Sequence, residues 1–367
     1  MVRRRDFLKL LLLSPLALEA EARELLQNAP PPFTEALYYE KLANGLVGCR
    51  LCPRTCTIAP GNPGFCRARK NLGGTLFSLG YASPCAMHID PVEKKPFFNF
   101  IPRSRSFSIA SAGCNLRCKF CQNWEISQVS PLETENQSAP PEGIVTMAQL
   151  KGCRSVAFTY TEPTTYFEYM LATAKAARSR GVISVYHSNG FINQEPLREL
   201  CHWLDAANID LKGFSPDFYR TVSEAELAPV LATLKTLKKS GVWVEITNLV
   251  IPGYNDDPVM IRKMAEWIRG NLGGETPLHF SRFFPLYKMT AVPPTPVPTL
   301  EKARETALRA GLQFVYIGNV PGHAGNSTHC PKCRRVVVKR SGFSVLEMHV
   351  EEGKCGFCGK RLAGRWT

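Results

Sequence analysis

Three cysteines in one short segment, Cys114, Cys118 and Cys121, have a C-x3-C-x2-C spacing that brings three thiolates into a single loop. A [4Fe–4S] cluster has four irons, and clusters that only transfer electrons use four cysteine ligands. Three ligands in one compact loop leave one iron free to bind a substrate or a cofactor. A structural zinc site would need a closed set of four ligands, and this loop contains no obvious fourth. The spacing therefore predicts an open [4Fe–4S] cluster.

Two further groups of four cysteines flank this loop. The first group is Cys49, Cys52, Cys56 and Cys66, and the second is Cys330, Cys333, Cys355 and Cys358. The second group forms two C-x2-C knuckles around a predicted hairpin (Val336–Arg340 and Phe343–Met348), which is the spacing of a zinc ribbon. Four cysteines in the first group suit either zinc or a second [4Fe–4S] cluster. Disulfides are the alternative for both groups, but the long hydrophobic middle of the chain, without such clusters, argues against a disulfide-stapled secreted fold.

The elements that must position these cysteines follow a regular alternation. Seven runs rich in β-branched and aromatic residues predict strands: Ser106–Ala110, Ser155–Tyr160, Val182–Tyr186, Ala207–Leu211, Val242–Val250, Leu278–Phe284 and Gln313–Ile317. Helical spacing recurs between them, and such βα units predict a parallel sheet with right-handed crossovers. No G-x-G-x-x-G follows the first strand. The pattern favours an α/β protein with an open or incomplete (β/α) barrel over a Rossmann fold.

Polar motifs follow the first four predicted strands, where a parallel barrel carries its chemistry. In chain order they are the C-x3-C-x2-C loop, Thr161-Glu162-Pro163, Ser188-Asn189-Gly190 and Asp210-Leu-Lys212. Because the carboxyl ends of parallel strands share one edge, we expect these motifs to meet. An internal ion pair is the alternative explanation for Asp210 and Lys212.

These motifs in this order resemble the radical S-adenosylmethionine (SAM) superfamily, whose signature is C-x3-C-x2-C after the first strand of a partial (β/α)6, TIM-like barrel. The resemblance implies that the open iron chelates SAM. It also implies reductive cleavage to methionine and a 5′-deoxyadenosyl radical, which abstracts hydrogen from a substrate. The electron would come from a donor of the flavodoxin or ferredoxin type.

The resemblance further implies which residues contact the cofactor: Phe120, Thr161, Glu162, Ser188, Asn189, Asp210 and Lys212. Lys212 is expected to pair with the carboxylate of SAM and Asp210 with its ribose or amino group. Phe120 is expected near the adenine, with core packing as the alternative. Tyr160 and Thr161 replace the family's glycines at the second strand end, so they must present their carbonyls with the side chains turned away.

Together with Ile251-Pro-Gly-Tyr-Asn-Asp256, Tyr316-Ile-Gly-Asn-Val-Pro-Gly322 and the two flanking cysteine groups, these motifs extend from about residue 45 to 366. The whole set looks like the radical enzyme of the AmmeMemoRadiSam system, a family related to the pyruvate formate-lyase activating enzymes. The substrate stays open between a small molecule and a backbone glycine of a partner protein. Four residues near the sixth strand are candidate substrate contacts, with packing as the alternative: His279, Arg282, Tyr287 and Lys288. A different class of function is a metal-stabilised binding module that uses the ribbon and a basic surface, with a degenerate barrel.

Composition and the chain termini complete the prediction. The 367 residues carry a net charge of +14, which favours anionic partners. A solvated surface explains the charge equally, and we do not expect nucleic acid to be bound. We predict a signal-like segment and proline linker at 1–32, a cysteine-rich region at 33–100, a radical SAM barrel at 101–322 and a zinc ribbon at 323–367.

The segment Arg4–Lys9 matches a twin-arginine export signal, R-R-x-F-L-K, and a basic amphipathic helix is the alternative. The apolar run that follows is too short to span a bilayer, so no transmembrane span is expected. A strongly reducing reaction favours the cytoplasm, with export as the alternative.

Overall fold

The computed structural model describes residues 33–367. The predicted export signal at Arg4–Lys9 and the proline linker lie outside the described residues. Within that range, none of the helices combines the length and the apolar character that crossing a bilayer requires.

Six short strands form the N-terminal region. They are β1 (Thr34–Glu35), β2 (Tyr39–Lys41), β3 (Val47–Cys49), β4 (Thr57–Ile58), β5 (Arg69–Leu72) and β6 (Thr75–Ser78). They pair antiparallel into two three-stranded sheets, with the orders β1-β6-β5 and β2-β3-β4. The first predicted cysteine group lies on and between β3 and β5.

A sheet of eight strands forms the centre of the molecule. Its strands are β7 (Ala86–Pro91), β8 (Arg105–Ala110), β9 (Ser155–Phe158), β10 (Ile183–Ser188), β11 (Ala206–Asp210), β12 (Trp243–Val250), β13 (Leu278–Arg282) and β14 (Val315–Gly318). They lie side by side in chain order, and β8 to β14 are parallel. All seven predicted strands are confirmed.

Strand β7 departs from the predicted parallel sheet, because it pairs antiparallel with β8 at the edge. Its sequence, AMHIDP, contains no continuous apolar run, and its first five residues are mostly half-buried or exposed. A strand that is not covered on both faces lacks the hydrophobic signal of a central parallel strand. The main sheet therefore takes one strand from the region before residue 101. The domain boundaries predicted at 33–100 and 101–322 stay predictions.

Helices follow the parallel strands and cover the sheet. They are α1 (Trp124–Ser127), α2 (Pro141–Leu150), α3 (Phe167–Ser179), α4 (Gln194–Cys201), α5 (Pro216–Phe218), α6 (Leu227–Lys239), α7 (Pro258–Leu272) and α8 (Val297–Arg309). A π-helical turn, Tyr219–Ser223, continues α5. Asp257 caps α7 by accepting hydrogen bonds from the backbone N–H groups of Val259 and Met260. Sheet residues such as Ile246 and Phe280 are fully buried beneath the helices and form the core.

The C-terminal region is a small β structure with its own core. Its strands are β15 (Thr328–His329), β16 (Val336–Ser341), β17 (Ser344–Met348), β18 (Val350–Glu351) and β19 (Lys354–Cys355). The antiparallel pair β16–β17 confirms the predicted hairpin. Arg340 on β16 joins this region to the segment between β7 and β8, since its guanidinium donates to the carbonyl of Phe98 (2.7 Å) as well as to Thr328 of β15 (2.7 Å).

Gly113, just before the central cysteine loop, gives a testable packing constraint. It has φ +106°, and an added Cβ would lie 2.7 Å from the carbonyl oxygen of Cys66 and 2.9 Å from the Cβ of Ala68. We expect Gly113→Ala to lower the free energy of unfolding by about 2–4 kcal/mol, because a strained φ and a backbone clash add. Gly181→Ala is the control, with φ +67° and open space around it. It should cost only about 1 kcal/mol. Urea denaturation compares the two, and equal losses would contradict the clash.

Candidate active site

The central cysteine loop leaves the carboxyl end of β8 and is fixed by backbone hydrogen bonds to the π-helical turn. The N–H of Arg117 donates to the carbonyl of Ser223 (3.1 Å), and the N–H of Lys119 donates to that of Val222 (2.9 Å). The three cysteines all line one large cavity at this end of the sheet, and they are the only cysteines among its lining residues. The structure places the loop at the carboxyl end of a strand, as predicted.

Sulfur spacing separates this loop from the C-terminal quartet. In the quartet, Cys330 and Cys358 have their sulfurs 3.7 Å apart, and the sulfurs of Cys333 and Cys355 are 3.8 Å apart. Four sulfurs at about 2.3 Å from one tetrahedral ion are about 3.8 Å from each other. Within residues 33–367, only this quartet brings three or more ligand atoms within 4.8 Å of one another. The central loop therefore does not fit a single ion, whereas a cluster binds each thiolate at a different iron.

The surroundings of the central thiols favour their neutral form until a cation binds. Burial raises the pKa of Cys114, as do the nearby Glu162 carboxylate and Cys118. Burial also raises the pKa of Cys118, and the ammonium of Lys212 counteracts this. The sulfur of Cys114 accepts a backbone hydrogen bond from Leu116 (3.4 Å), which suits a thiolate. Three thiolates in this buried position need a cationic centre to neutralise them, and an iron–sulfur cluster fits that requirement.

Glu162, after β9, is buried and fully engaged by donors of the chain itself. Its Oε1 accepts from the N–H of Thr164 (3.0 Å) and the hydroxyl of Ser188 (2.7 Å), and its Oε2 accepts from the N–H of Asn189 (2.8 Å). Asn189 in turn donates to the side chain of Asn115 (2.9 Å), the residue after Cys114. The carboxylate thus ties the ends of β9 and β10 to the cysteine loop.

Asp210 and Lys212 form the internal ion pair that the sequence left as an alternative. The ammonium of Lys212 lies 3.0 Å from Oδ2 of Asp210, and Nε2 of His187 lies 3.2 Å from Oδ1. Burial opposes ionisation of Asp210, but the Lys212 ammonium and the hydrogen bonds from Lys212 and His187 outweigh it and lower its pKa. The Lys212 ammonium also lies 5.6 Å from the ring centre of Phe120. A charged pair therefore lies at the carboxyl end of β11, beside the cysteines.

The cavity has a volume of about 840 Å³. All seven predicted cofactor contacts line it: Phe120, Thr161, Glu162, Ser188, Asn189, Asp210 and Lys212. This volume lies in the upper part of the range of small-molecule and cofactor sites. The structure brings the predicted residues together, while their roles stay predictions.

Comparisons with known proteins agree with this arrangement. A family model described as the Radical SAM superfamily matches residues 108–265. The uncharacterized protein MJ0808 of Methanocaldococcus jannaschii is 48% identical over 330 residues, which cover 89% of this chain and 98% of that protein. The pyruvate formate-lyase 1-activating enzyme of Escherichia coli K12 is 22% identical over 222 residues, or 56% of this chain and 89% of that enzyme. The chain belongs to the radical SAM superfamily.

The fold agrees as well. A radical SAM methyltransferase from Sphaerobacter thermophilus superposes with a TM-score of 0.51 at 13% identity, covering 86% of each chain. The chain thus has an α/β radical SAM fold with a large, mostly parallel sheet. Membership in the superfamily confirms that it is an enzyme, and the interpretation as a binding module with a degenerate barrel is wrong.

Tyr160, which follows β9, takes the place of a glycine that the radical SAM family has at this strand end. Tyr160 adopts φ +67°, a left-handed conformation that is uncommon for an aromatic residue. Its hydroxyl donates to Asp90, and the Lys95 ammonium lies 4.0 Å from its ring centre. The Tyr160 carbonyl accepts from the side chain of Asn123 (2.7 Å). Asp90 and Lys95 thus hold the side chain at the wall of the cavity, and a tyrosine in a left-handed conformation stands where the family has a glycine.

Other lining residues had no signal in the sequence. Lys94 and Lys95, after β7, face the cavity, and so do Gly342 and Phe343 at the tip of the C-terminal hairpin. The radical SAM enzyme therefore builds its cavity wall from both flanking regions. Of the four candidate substrate contacts, only His279 lines the cavity. These contributions depend on chain packing, and no local motif marks them.

Proposed function

We propose that this radical SAM enzyme cleaves S-adenosylmethionine reductively at a [4Fe–4S] cluster held by Cys114, Cys118 and Cys121. A cluster of this kind, with SAM at its open iron, supplies a 5′-deoxyadenosyl radical that takes a hydrogen atom from a substrate. The proposal is carried by three cysteines, spaced too widely for one ion, that line a cavity of about 840 Å³. No fourth cysteine lines that cavity within the described part of the chain.

The chain's own residues provide a polar frame for SAM around this loop. Glu162 acts as a positioning residue, because its two oxygens hold Ser188 and the backbone of Asn189 in place. Lys212 is proposed to exchange its contact with Asp210 for the carboxylate of SAM, which frees Asp210 for the ribose or the amino group. This exchange keeps both charges paired while the cofactor is bound, which matters in a half-buried site.

The substrate is proposed to be either a small molecule or a backbone glycine in a partner protein. Activating enzymes are among the relatives, such as the pyruvate formate-lyase 1-activating enzyme of Escherichia coli K12 described above. This relationship supports a protein substrate and an electron donor of the flavodoxin or ferredoxin type. We assign the enzyme to the AmmeMemoRadiSam type on the motifs described above.

The C-terminal region, about 323–367, is proposed to be a zinc ribbon. The four sulfurs lie at the separations expected around one tetrahedral ion of zinc size. The partial-barrel description of residues 101–322 belongs to the same proposal, supported by seven parallel strands in chain order.

The direct test is SAM cleavage by protein reconstituted with iron and sulfide without oxygen. Dithionite and SAM should give 5′-deoxyadenosine and methionine, separated and quantified by liquid chromatography. Controls omit dithionite or use protein without iron. If fully reconstituted protein gave no 5′-deoxyadenosine, the proposed reaction would be excluded.

The ion-pair exchange makes a separate prediction. Lys212→Met should weaken SAM binding by about 10- to 100-fold, because it removes the cation proposed for the SAM carboxylate and leaves Asp210 facing that anion. Equilibrium dialysis with labelled SAM measures this. Lys235→Met is the matched control, since Lys235 is exposed and outside the cavity. Equal affinities for both variants would remove Lys212 from the binding site.

A further inference from the structure

The N-terminal cysteine group surrounds a second, smaller cavity on the far side of the central cysteine loop. Cys49, Cys52, Cys56 and Cys66 all line it. Cys49 ends β3, and its N–H donates to the carbonyl of Cys56 (2.9 Å), which closes the turn that carries the first three cysteines. Cys66 arrives from the loop between β4 and β5. Two separate chain segments thus bring four thiols to the wall of one cavity.

The sulfur spacing in this group differs from that of the C-terminal quartet in the same chain. No three of the four sulfurs lie within 4.8 Å of one another in the described residues, so the group does not fit a single zinc or iron ion. A two-iron cluster would pair the sulfurs, two on each iron at about 3.8 Å. Direct sulfur contacts of that length occur in the C-terminal quartet only, within residues 33–367. Wide separation of four thiolates matches a four-iron cube, with one cysteine at each corner.

A buried cation faces the same cavity with an unused donor. Arg69 is 1% exposed, and its Nη1 lies 3.9 Å from the sulfur of Cys49. The guanidinium also pairs with Glu168. Its Nε has no acceptor within the described part of the molecule. Buried donors are almost always satisfied, so this nitrogen is suited to donate to a group that the cysteines bind. Thiolates and the sulfides of a cluster are acceptors that would fill this role.

The two cysteine sites are in direct contact. Gly113, which precedes Cys114, packs so closely on the carbonyl of Cys66 that any Cβ would clash. The guanidinium of Arg54, two residues after Cys52, donates from Nε to the carbonyl of Asn115 (3.0 Å). Asn115 lines the N-terminal cavity, and the cysteine before it lines the large one. The two sites are therefore separated by about one layer of backbone.

We infer that Cys49, Cys52, Cys56 and Cys66 hold a second [4Fe–4S] cluster, adjacent to the one proposed at the central loop. Four sulfurs too far apart for one ion, an unsatisfied buried guanidinium nitrogen and a shared wall with the central loop all support this site. A cluster here, once reduced by one electron, would lie beside the centre that uses one electron for each SAM cleaved. The inference concerns metal content, so it stands or falls independently of SAM cleavage.

The test measures iron, sulfide and zinc in the full chain after anaerobic reconstitution. Wild-type protein should bind about eight irons and eight sulfides. The C114A/C118A/C121A variant should retain about four of each, with the Mössbauer signature of a [4Fe–4S]²⁺ cluster. Adding Cys49→Ser to that variant should abolish the remaining cluster. The C153A/C201A variant, which removes two buried cysteines outside both cavities, should keep about eight irons.

The outcomes separate the alternatives without relying on one variant. About four irons in the wild type, together with a second zinc, would assign the N-terminal group to zinc and overturn the inference. Two irons, or no iron, retained by the C114A/C118A/C121A variant would overturn it as well. Because the wild-type count needs no mutation, a variant that failed to fold would not obscure the result.

Discussion

Replacing Cys118 by alanine is expected to reduce 5′-deoxyadenosine formation by at least about 1000-fold, because the whole reaction depends on the cluster that Cys118 is proposed to hold. Cys118 is 7% exposed and lines the large cavity between its two partner cysteines. With two thiolates left in the loop, the proposed cluster loses an iron ligand. The measurement is the rate of 5′-deoxyadenosine formation with dithionite and saturating SAM, together with the iron content.

Cys153→Ala provides a matched control for this experiment. Cys153 is equally buried, at 6% exposure, but it does not line the cavity. Its removal changes side-chain volume by the same amount and should leave both the rate and the iron content unchanged. If Cys118→Ala cleaved SAM at the wild-type rate, the cluster would have to be elsewhere.

If the C-terminal quartet holds zinc as proposed, removal of that metal should unfold the proposed ribbon. Its core contains few apolar side chains, among them Val337, Val338 and Leu362, packed around the cysteines themselves. Metal binding to structural four-cysteine sites in small domains supplies about 10–16 kcal/mol, which is most of their folding free energy. We therefore expect Cys355→Ser, or treatment with a strong chelator, to make residues from about 323 onwards sensitive to protease.

A nearby histidine supplies the control for the ribbon. His349 lies next to the quartet but is not one of the four ligand residues. His349→Ala should retain zinc and protease resistance. Mass spectrometry of the digested fragments measures the cleavage sites, and zinc release is followed with a colorimetric chelator. An unchanged digestion pattern for Cys355→Ser would show that the region folds without metal.

The sequence predicts the site well where a motif with reactive or charged side chains directly follows a predicted strand. The C-x3-C-x2-C loop, Glu162 and the Asp210-Leu-Lys212 motif each follow a strand, and parallel strands bring their carboxyl ends to one edge. The cavity lined by all of them follows from that topology. The partners follow only in part: the Asp210–Lys212 ion pair is one of the two alternatives that the sequence offered, whereas the bonds of Glu162 to Ser188 and Asn189 were not predicted. Hydrogen bonds of this kind depend on how closely the strand ends pack together, which the motifs do not specify.

Taken alone, the amino-acid sequence determined the fold class, the three cysteine groups and the order of the strand-end motifs. These are properties of spacing and periodicity, which are written along the chain. Only the tertiary structure decided the antiparallel strand β7, the left-handed Tyr160 and the contact between Gly113 and Cys66. It also separated the one-ion quartet from the two wider cysteine groups. The strand pairing, the glycine contact and the sulfur spacing all join separate segments, and Asp90 of β7 holds the Tyr160 side chain, so long-range packing sets each of them.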